Sequence, residues 1–270
     1  MKVLRNIDTL KKTISNINNL GFVPTMGDLH MGHISLIKES KKKCKKTLVS
    51  IYINPKQFNS SNDFLKYPRN LQNDLNKLKK LKIDFVFLPK TKEIYKKNYK
   101  KIILPNHEKK LCAKYRKGHF EGVLNIMNRF IDIIKPNYVF MGEKDYQQLY
   151  LINKYLIYKY KTKIHACKTI RDKNFSALSS RNSLLKKIEL RKIGLIAQNL
   201  LNFKKKIKRI KNVNKIINFK KKELSKNYNI KIEYLEARNE KNLSIYNKKN
   251  KFRLFFAYYI RNIRLIDNFN

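Results

Sequence analysis

Short apolar runs alternate with amphipathic stretches through the first two-thirds of the chain, and this alternation constrains the fold more than any other feature. Apolar runs that end at Pro, Gly or Asn are typical of buried strands, and apolar residues spaced three or four apart are typical of helices. The predicted elements are strand 21–25, helix 33–45, strand 47–54, helix 69–81, strand 83–89, helix 120–134, strand 138–142, a helix over about 145–158, and strand 163–169. Repeated strand–helix–strand units predict a parallel sheet with right-handed crossovers. We therefore expect residues 1–171 to form an α/β, Rossmann-like domain.

The pattern changes after residue 171. Residues 184–227 predict two long, lysine-rich helices, while the segments 229–238 and 253–267 alternate like strands of a small antiparallel sheet. The sequence therefore predicts a second, smaller α+β domain over residues 172–270.

The formal net charge of the chain is +44, which is extreme for 270 residues. Such a field attracts polyanions, so nucleic-acid binding is one interpretation. Mutational bias is the other, and we favour it because lysine is spread along the whole chain rather than gathered in one basic segment. The charge should still draw in anionic small molecules, as a rate effect that salt weakens.

The cysteines and the apolar runs limit the cellular setting. Cys44, Cys112 and Cys167 are odd in number, far apart and without a C-x-x-C pair, which fits reduced thiols rather than disulfides or a zinc site. No apolar run reaches the roughly 18 residues of a membrane-spanning helix. Residues 1–20 lack the apolar core and cleavage site of a signal peptide. A cytoplasmic protein without membrane contact is expected.

The motif VPTMGDLHMGH, residues 23–33, combines a strand end, a turn with two glycines and a helix start. Free N–H groups and the helix dipole make such a turn a binding place for phosphate. Gly27 and Gly32 would let the backbone approach a ligand closely. His30 and His33, three residues apart, could donate hydrogen bonds to a triphosphate as negative charge develops on it.

Two other interpretations of the histidine pair stay open at this point. The two imidazoles could hold a metal ion, although no third Cys, His or acidic residue lies close by in sequence. They could also be structural residues near a helix cap. A Walker-type loop is excluded because G-x-x-x-x-G-K-[ST] is missing, and the missing G-x-G-x-x-G argues against a dinucleotide.

The H-x-G-H motif resembles the signature of the HIGH-type nucleotidyltransferase superfamily. Four further blocks resemble pantothenate synthetases (pantoate–β-alanine ligases): SIYINPKQFNSSNDFLKYPRNLQNDL (50–75), CAKYRKGHFEGVLNIMNRF (112–130), FMGEKDYQQLYLI (140–152) and ALSSRN (177–182). Together with the opening motif they stand in the family's order and spacing over about residues 20–185. We therefore interpret the chain as similar to this family.

The resemblance implies the following chemistry. Pantoate and β-alanine are condensed with ATP, which enters with Mg²⁺, through an enzyme-bound pantoyl adenylate, and AMP and pyrophosphate are released. It also implies a homodimer, no tightly bound cofactor, no membrane and no specific nucleic acid. Residues 1–171 would bind ATP and pantoate, and residues 172–270 would form a lid.

The resemblance also implies roles for individual residues. His33, His30 and Lys144 would be catalytic, with His33 bonded to the phosphates, as an imidazolium in one form of this hypothesis. Gln57 and Gln148 would bind pantoate or β-alanine. Asp74 is a weak candidate for contact with the Mg²⁺ of ATP, and Arg116 for contact with an anionic ligand. The expected ATP-binding residues are Met26, Gly27, Asp28, Leu29, His30, Met31, Gly32, His33, Gly142, Glu143, Lys144, Asp145, Ile170, Leu178, Ser179, Ser180 and Arg181.

The chain departs from the family's pattern at two places. Asn174-Phe175 stands where the family usually has Asp-Gly, so a turn that glycine makes easy holds a bulky aromatic residue. Lys117 replaces a common proline before the Gly-His-Phe block. The residues expected to contact substrates are intact, and we expect a working enzyme.

Two rival functions compete with this interpretation. A phosphate-acceptor adenylyltransferase could use the same scaffold, but the YxNPxQF and HFxGV blocks argue against it. A basic nucleic-acid-binding module is the rival from another class, and neither a zinc finger nor an RNA-recognition motif supports it.

Overall fold

The protein is described from a computed structural model covering residues 1–95, 99–207, 212–248 and 251–270. The chain divides into two compact units. The first comprises residues 1–109 and 113–168, and the second comprises residues 110–112 and 169–270. These units are defined by how the residues pack, whereas a domain is defined by its ability to fold independently. The predicted domain boundary between residues 171 and 172 therefore stays a prediction.

The first unit alternates strands and helices as the sequence predicts. Its strands are β1 (Lys2–Leu4), β2 (Leu20–Thr25), β3 (Lys46–Ile51), β4 (Phe85–Phe87), β5 (Tyr138–Gly142) and β6 (Lys163–Cys167). Its helices are α1 (Ile7–Ile14), α2 (Met31–Lys43), α3 (Ser61–Leu65), α4 (Leu71–Lys80), α5 (Thr91–Ile94), α6 (Cys112–Tyr115, which begins at the last residue of the 110–112 segment), α7 (His119–Ile134) and α8 (Tyr146–Tyr155). The short elements β1, α1, α3, α5 and α6 were not predicted.

The strands of this unit form one sheet in the order β1-β4-β3-β2-β5-β6, and each neighbouring pair is parallel. The Rossmann-like prediction is confirmed. The chain runs outward from β2 through β3 to one side, and β5 pairs with β2 on the other side. The order therefore reverses between β2 and β5, and ligands of open α/β sheets bind beyond the carboxyl ends of the strands at such a point.

A buried apolar cluster holds α2 against the sheet. Ile37 of α2 packs with Val23, Val49, Val86 and Phe140, all of them completely buried. Strands covered on both faces are apolar along their whole length, which explains why these strands read as continuous apolar runs. The packing fixes where α2 begins relative to the end of β2.

The second unit contains two long helices and a three-stranded sheet. The elements are α9 (Lys187–Ile207), α10 (Val213–Tyr228), β7 (Lys231–Asn239), β8 (Phe252–Ile260) and β9 (Ile263–Phe269). The sheet is antiparallel in the order β7-β8-β9. The α+β prediction is confirmed, although residues 208–211 of the predicted helical segment lie outside the described residues.

The segment 253–267 forms two strands joined by a tight turn. Ile260 pairs with Ile263 across the turn, and Arg261 adopts a left-handed backbone with φ of 51°. Glycine or asparagine usually occupies such a position. Because arginine stands here instead, the sequence did not predict the turn. Every helix within the described ranges is too short or too polar to cross a bilayer.

Candidate active site

Two segments with predicted ligand-binding residues follow the neighbouring strands β2 and β5. Residues 26–33 connect β2 to the first turn of α2, and Glu143–Asp145 form a short 3-10 helix directly after β5. Because β2 and β5 are parallel neighbours at the point of reversal, their carboxyl ends lie at the same edge of the sheet. The fold thus brings both segments to the expected ligand-binding edge.

The turn after β2 has a left-handed backbone that Asp74 holds in place. Gly27 has φ of 82° and Asp28 has φ of 50°. The N–H groups of Asp28 and Leu29 donate to Oδ2 and Oδ1 of Asp74 at 2.8 and 2.7 Å. A Cβ on Gly27 would lie 3.1 Å from Oδ2 of Asp74, so glycine serves both the backbone conformation and the close approach.

This arrangement gives Asp74 a structural role, while its suggested contact with Mg²⁺ stays a prediction. Its carboxylate is 1% exposed and each oxygen accepts a backbone N–H. Burial raises the pKa of Asp74 above its ordinary value, while the two N–H groups act in the opposite direction. Among the described residues, no cluster of three His, Cys, Asp or Glu side chains is placed to hold a metal ion. Asp74 therefore braces the turn.

His30 and His33 cap α2 reciprocally. Nδ1 of His30, the N-cap residue, accepts the N–H of Gly32 at 3.1 Å, and Nδ1 of His33 accepts the N–H of His30 at 3.3 Å. The ring centroids are 4.1 Å apart. A neutral imidazole whose Nδ1 accepts a hydrogen bond carries its proton on Nε2. The cap and the phosphate-donor interpretations are therefore compatible, because capping uses Nδ1 and leaves an Nε2–H donor on each ring.

Both imidazoles are neutral at physiological pH. Burial, reinforced by the charge of Lys144, lowers the pKa of His30 to about 4. Burial, with His30 and Lys144 nearby, holds the pKa of His33 well below its ordinary value of 6.5. The suggestion of an imidazolium at His33 is therefore wrong for the protein by itself. Neutral Nε2–H groups are the donors that this site presents.

The depressed pKa of His30 makes stability depend on pH. As pH falls from 6.5 towards 4, the unfolded chain binds a proton that the folded chain excludes, so stability falls with pH in this window. His30→Asn retains an N-cap acceptor and removes the titrating ring. We expect the wild type to lose about 1–3 kcal/mol more than the variant between pH 7 and pH 4.5. Urea unfolding at both pH values measures this, and equal losses would contradict it.

Lys144 lies in the short 3-10 helix directly after β5, and its positive charge acts on the same histidines. Its side chain is 17% exposed, and its Nζ lies 3.8 Å from Oδ1 of Asp145. The positive charge of Lys144 lowers the pKa of both His30 and His33, which shows that all three groups share one environment. Two N–H donors and an ammonium group beside a helix start suit a polyanionic ligand.

Gln57 lies in a turn that Asn54 organises. Nδ2 of Asn54 donates to the carbonyl of Gly122 at 3.0 Å and to Oε1 of Gln57 at 3.4 Å, and its Oδ1 accepts from the hydroxyl of Tyr95 at 3.0 Å. The amide nitrogen of Gln57 reaches Sδ of Met26, next to the glycine turn. The fold therefore places the predicted pantoate-binding Gln57 beside the predicted phosphate site. Gln148 lies half-buried in the first turn of α8, which follows the segment of Lys144.

Arg116 and His119 support the backbone of Gln57. Nδ1 of His119 donates to the carbonyl of Gln57 at 2.7 Å, and this leaves Nε2 to accept from Nη1 of Arg116 at 2.8 Å. Nη2 of Arg116 also donates to the Gln57 carbonyl, at 3.3 Å. The sequence suggested that Arg116 reaches an anionic ligand, whereas the structure shows it bracing this turn. The roles of Asn54 and His119 were missed, although both stand in the quoted family blocks.

The predicted ATP-binding residues 170–181 belong to the second unit. The N–H of Leu178 donates to the carbonyl of Ile170 at 3.0 Å, so these two backbone groups are occupied by each other. Oγ of Ser179 accepts the N–H of Arg181 at 3.3 Å and caps the 3-10 helix Ser180–Leu184. The polar segment is thus ordered by local bonds within this unit.

Phe175, at the departure from the family pattern, has a left-handed backbone with φ of 76°. Such a backbone costs a bulky residue roughly 1–2 kcal/mol. The guanidinium of Arg171 lies 5.1 Å from the ring of Phe175 and 5.0 Å from that of Phe269, and it pairs with Asp267 through bonds of 2.7 and 2.9 Å. The cation–π contact with the Phe175 ring, worth about 0.5–2 kcal/mol, offsets backbone strain at this residue.

Comparisons with known proteins show the family to which the chain belongs. Residues 2–270 match the family model described as pantoate-beta-alanine ligase. The pantothenate synthetase of Flavobacterium psychrophilum is 39% identical over 267 residues, covering 96% of this chain and 94% of the relative. That of Leptospira interrogans is 40% identical over 254 residues, covering 92% and 89%.

Two solved structures match the chain over nearly its whole length. The pantothenate synthetase of Thermus thermophilus matches with a TM-score of 0.90 at 26% identity, over 99% of this chain and 98% of that one. The pantoate-beta-alanine ligase of Francisella tularensis, complexed with beta-gamma ATP and beta-alanine, matches with a TM-score of 0.82 at 35% identity, over 100% and 97%.

The match to the family model, together with the parallel sheet, identifies the chain as an ATP-dependent ligase of the α/β class. The chain belongs to the pantoate–β-alanine ligase family, whose members are also called pantothenate synthetases.

Proposed function

We propose that the edge formed by residues 26–33 and 142–145 binds ATP and that the chain forms pantothenate there through a pantoyl adenylate. The observation that carries this proposal is the convergence of two neutral Nε2–H donors and the Lys144 ammonium at the carboxyl ends of β2 and β5. In this proposal Mg²⁺ enters as part of the nucleotide substrate, as the family resemblance implies.

The reaction consists of two displacements. In the first, the pantoate carboxylate attacks the α-phosphorus of ATP, the bond to the bridging oxygen breaks, and pyrophosphate leaves. In the second, the β-alanine amine attacks the acyl carbon of the adenylate, AMP leaves, and the amine proton is lost to solvent or to a base. Each leaving group carries negative charge, which preorganised N–H donors and a lysine stabilise. His30, His33 and Lys144 have this role in the proposal.

Neutral amides suit the recognition of pantoate. An amide donates to a carboxylate and accepts from a hydroxyl without the tight ion pair that would weaken the carboxylate as a nucleophile. Gln57 and Gln148 have this role in the proposal, and the buried turn around Gln57 supports it. The contacts of Ile170, Leu178, Ser179, Ser180 and Arg181 with ATP, the homodimer and the cytoplasmic location are proposals that rest on the family resemblance.

Pantoate-dependent ATP–pyrophosphate exchange by the purified protein, measured without β-alanine, tests the proposal. We expect exchange that requires pantoate, and release of AMP once β-alanine is added. Exchange that does not depend on pantoate but does depend on a phosphate acceptor would instead favour an adenylyltransferase. If exchange and AMP release are both absent while the protein is retained on DNA in a salt-sensitive manner, the nucleic-acid-binding alternative is favoured.

A further inference from the structure

We propose that Lys77, on α4, is a further phosphate-binding residue, whose ammonium group bridges the carbonyl of Leu29 and the triphosphate of ATP. This inference rests on the proposed function, because it adds α4 to the two segments, 26–33 and 142–145, that the proposal assigns to ATP. The resemblance did not assign Lys77 any role.

The contacts of α4 place Lys77 at the turn that precedes the histidines. Its Nζ donates to the carbonyl of Leu29 at 2.6 Å. Asp74, three residues earlier and therefore on the same helix face, accepts the N–H groups of Asp28 and Leu29. One helix face thus binds the peptide groups on both sides of Leu29, immediately before the N-cap residue His30. The Lys77 ammonium is fixed one residue from the capped start of α2.

The charge of Lys77 acts on the same pair of histidines as the charge of Lys144. Each lysine lowers the pKa of His30 and of His33. At His30 the carboxylate of Asp145 opposes this effect. At His33, by contrast, the neighbouring His30, Lys144 and Lys77 all lower the pKa. Two lysines on different elements therefore produce a positive potential around His33, where a phosphate group would be stabilised.

The ammonium group of Lys77 has donors beyond the one used in the fold. A lysine carries three N–H donors, and one of them is directed to the Leu29 carbonyl. The side chain is half-buried, so its position is defined while the group stays accessible. The charge of Lys77 acts to lower the pKa of Asp74, but the two oxygens of that carboxylate bond backbone N–H groups.

Binding of inorganic tripolyphosphate to the full chain, followed by calorimetry, tests the inference without requiring turnover. Lys77→Met is compared with Lys77→Arg, which retains the charge, and with Lys80→Met, which removes one charge from an exposed position of the same helix. We expect Lys77→Met to weaken tripolyphosphate binding by about tenfold or more and to raise the ATP KM similarly, with the pantoate KM changed less than about twofold. Lys80→Met should stay close to wild type, and Lys77→Arg should retain most of the affinity.

Thermal unfolding of the same variants separates binding from folding. Lys77→Met that unfolds at a lower temperature but binds tripolyphosphate like Lys80→Met would show a purely structural role and would overturn the inference. Equal losses in Lys77→Met and Lys80→Met would overturn it too, because they would reflect only the general surface charge. Loss of tripolyphosphate binding in Lys77→Met from a wild type that lacks pantoate-dependent exchange would refute the proposed function and leave the anion site in place.

Discussion

Replacing His33 by alanine is expected to reduce pantoate-dependent ATP–pyrophosphate exchange by about 100-fold or more, which corresponds to about 2.7 kcal/mol of transition-state stabilisation. The variant loses two interactions together. It loses the Nε2–H donor that the proposal directs to the phosphates, and it loses the Nδ1 acceptor that binds the N–H of His30. Steady-state exchange rates at saturating ATP and pantoate measure the effect.

Two further substitutions separate the donor from the cap. Asparagine at position 33 can place an acceptor near the position of Nδ1 but has no group at the position of Nε2. Glutamine can place an amide N–H near the position of Nε2 instead. We expect His33→Asn to retain most of the stability and to lose nearly as much exchange as His33→Ala, whereas His33→Gln should recover part of the exchange rate.

His107→Ala provides the matched control, because His107 is 68% exposed and lies in the 3-10 helix Asn106–Glu108, away from the motif in the sequence. Its exchange rate should equal that of the wild type. If His33→Asn were as active as the wild type, the histidine would serve only as a cap. The role of the Nε2–H donor in the proposal would then be wrong.

The sheet was predictable because its strands are buried on both faces, whereas the start of α2 was not. The sequence predicted a helix from residue 33, but α2 begins at Met31 with His30 as its N-cap. Ser, Thr, Asp and Asn are the usual N-cap residues, and a histidine that accepts through Nδ1 resembles them only once the backbone is seen. The phosphate site that the motif indicates stays a prediction. The helix-cap interpretation, which the sequence left open, is confirmed, but its reciprocal bonding was not predicted.

The residues that position the site could not be predicted because their partners lie far away along the chain. The sequence suggested Asp74 only as a weak candidate for Mg²⁺ contact, yet it is buried against Asp28 and Leu29, which lie 46 and 45 residues earlier. Arg116 and His119 bind a carbonyl about 60 residues away in the sequence. Helical spacing shows which residues share a face, but it does not show which backbone group that face meets.

The glycine of the HFEGV block, Gly122, is required for a steric reason. Gly122 lies in α7, and a Cβ there would lie 2.3 Å from the carbonyl oxygen of Lys56 and 2.9 Å from Cα of Gln57. Its carbonyl accepts the side-chain amide of Asn54 at 3.0 Å. Only glycine therefore allows α7 to pack directly on the turn that carries Gln57, and this explains the glycine in the HFEGV block.

Gly122→Ala is expected to lower the free energy of unfolding by about 1–3 kcal/mol and to raise the pantoate KM by about tenfold, because the added methyl group pushes the turn and Gln57 away from α7. Thermal unfolding and steady-state kinetics measure the two effects. For the stability measurement the control is Gly142→Ala, since a Cβ at Gly142 would meet nothing within 4 Å. The outcomes that would contradict this prediction are distinct. An unfolding temperature of Gly122→Ala that equals the control, together with an unchanged pantoate KM, would show that the turn moves without cost.

Gln57 would then not depend on this packing for its position. A lower stability with an unchanged pantoate KM would instead remove Gln57 from the proposed pantoate site, since its displacement would leave substrate binding intact.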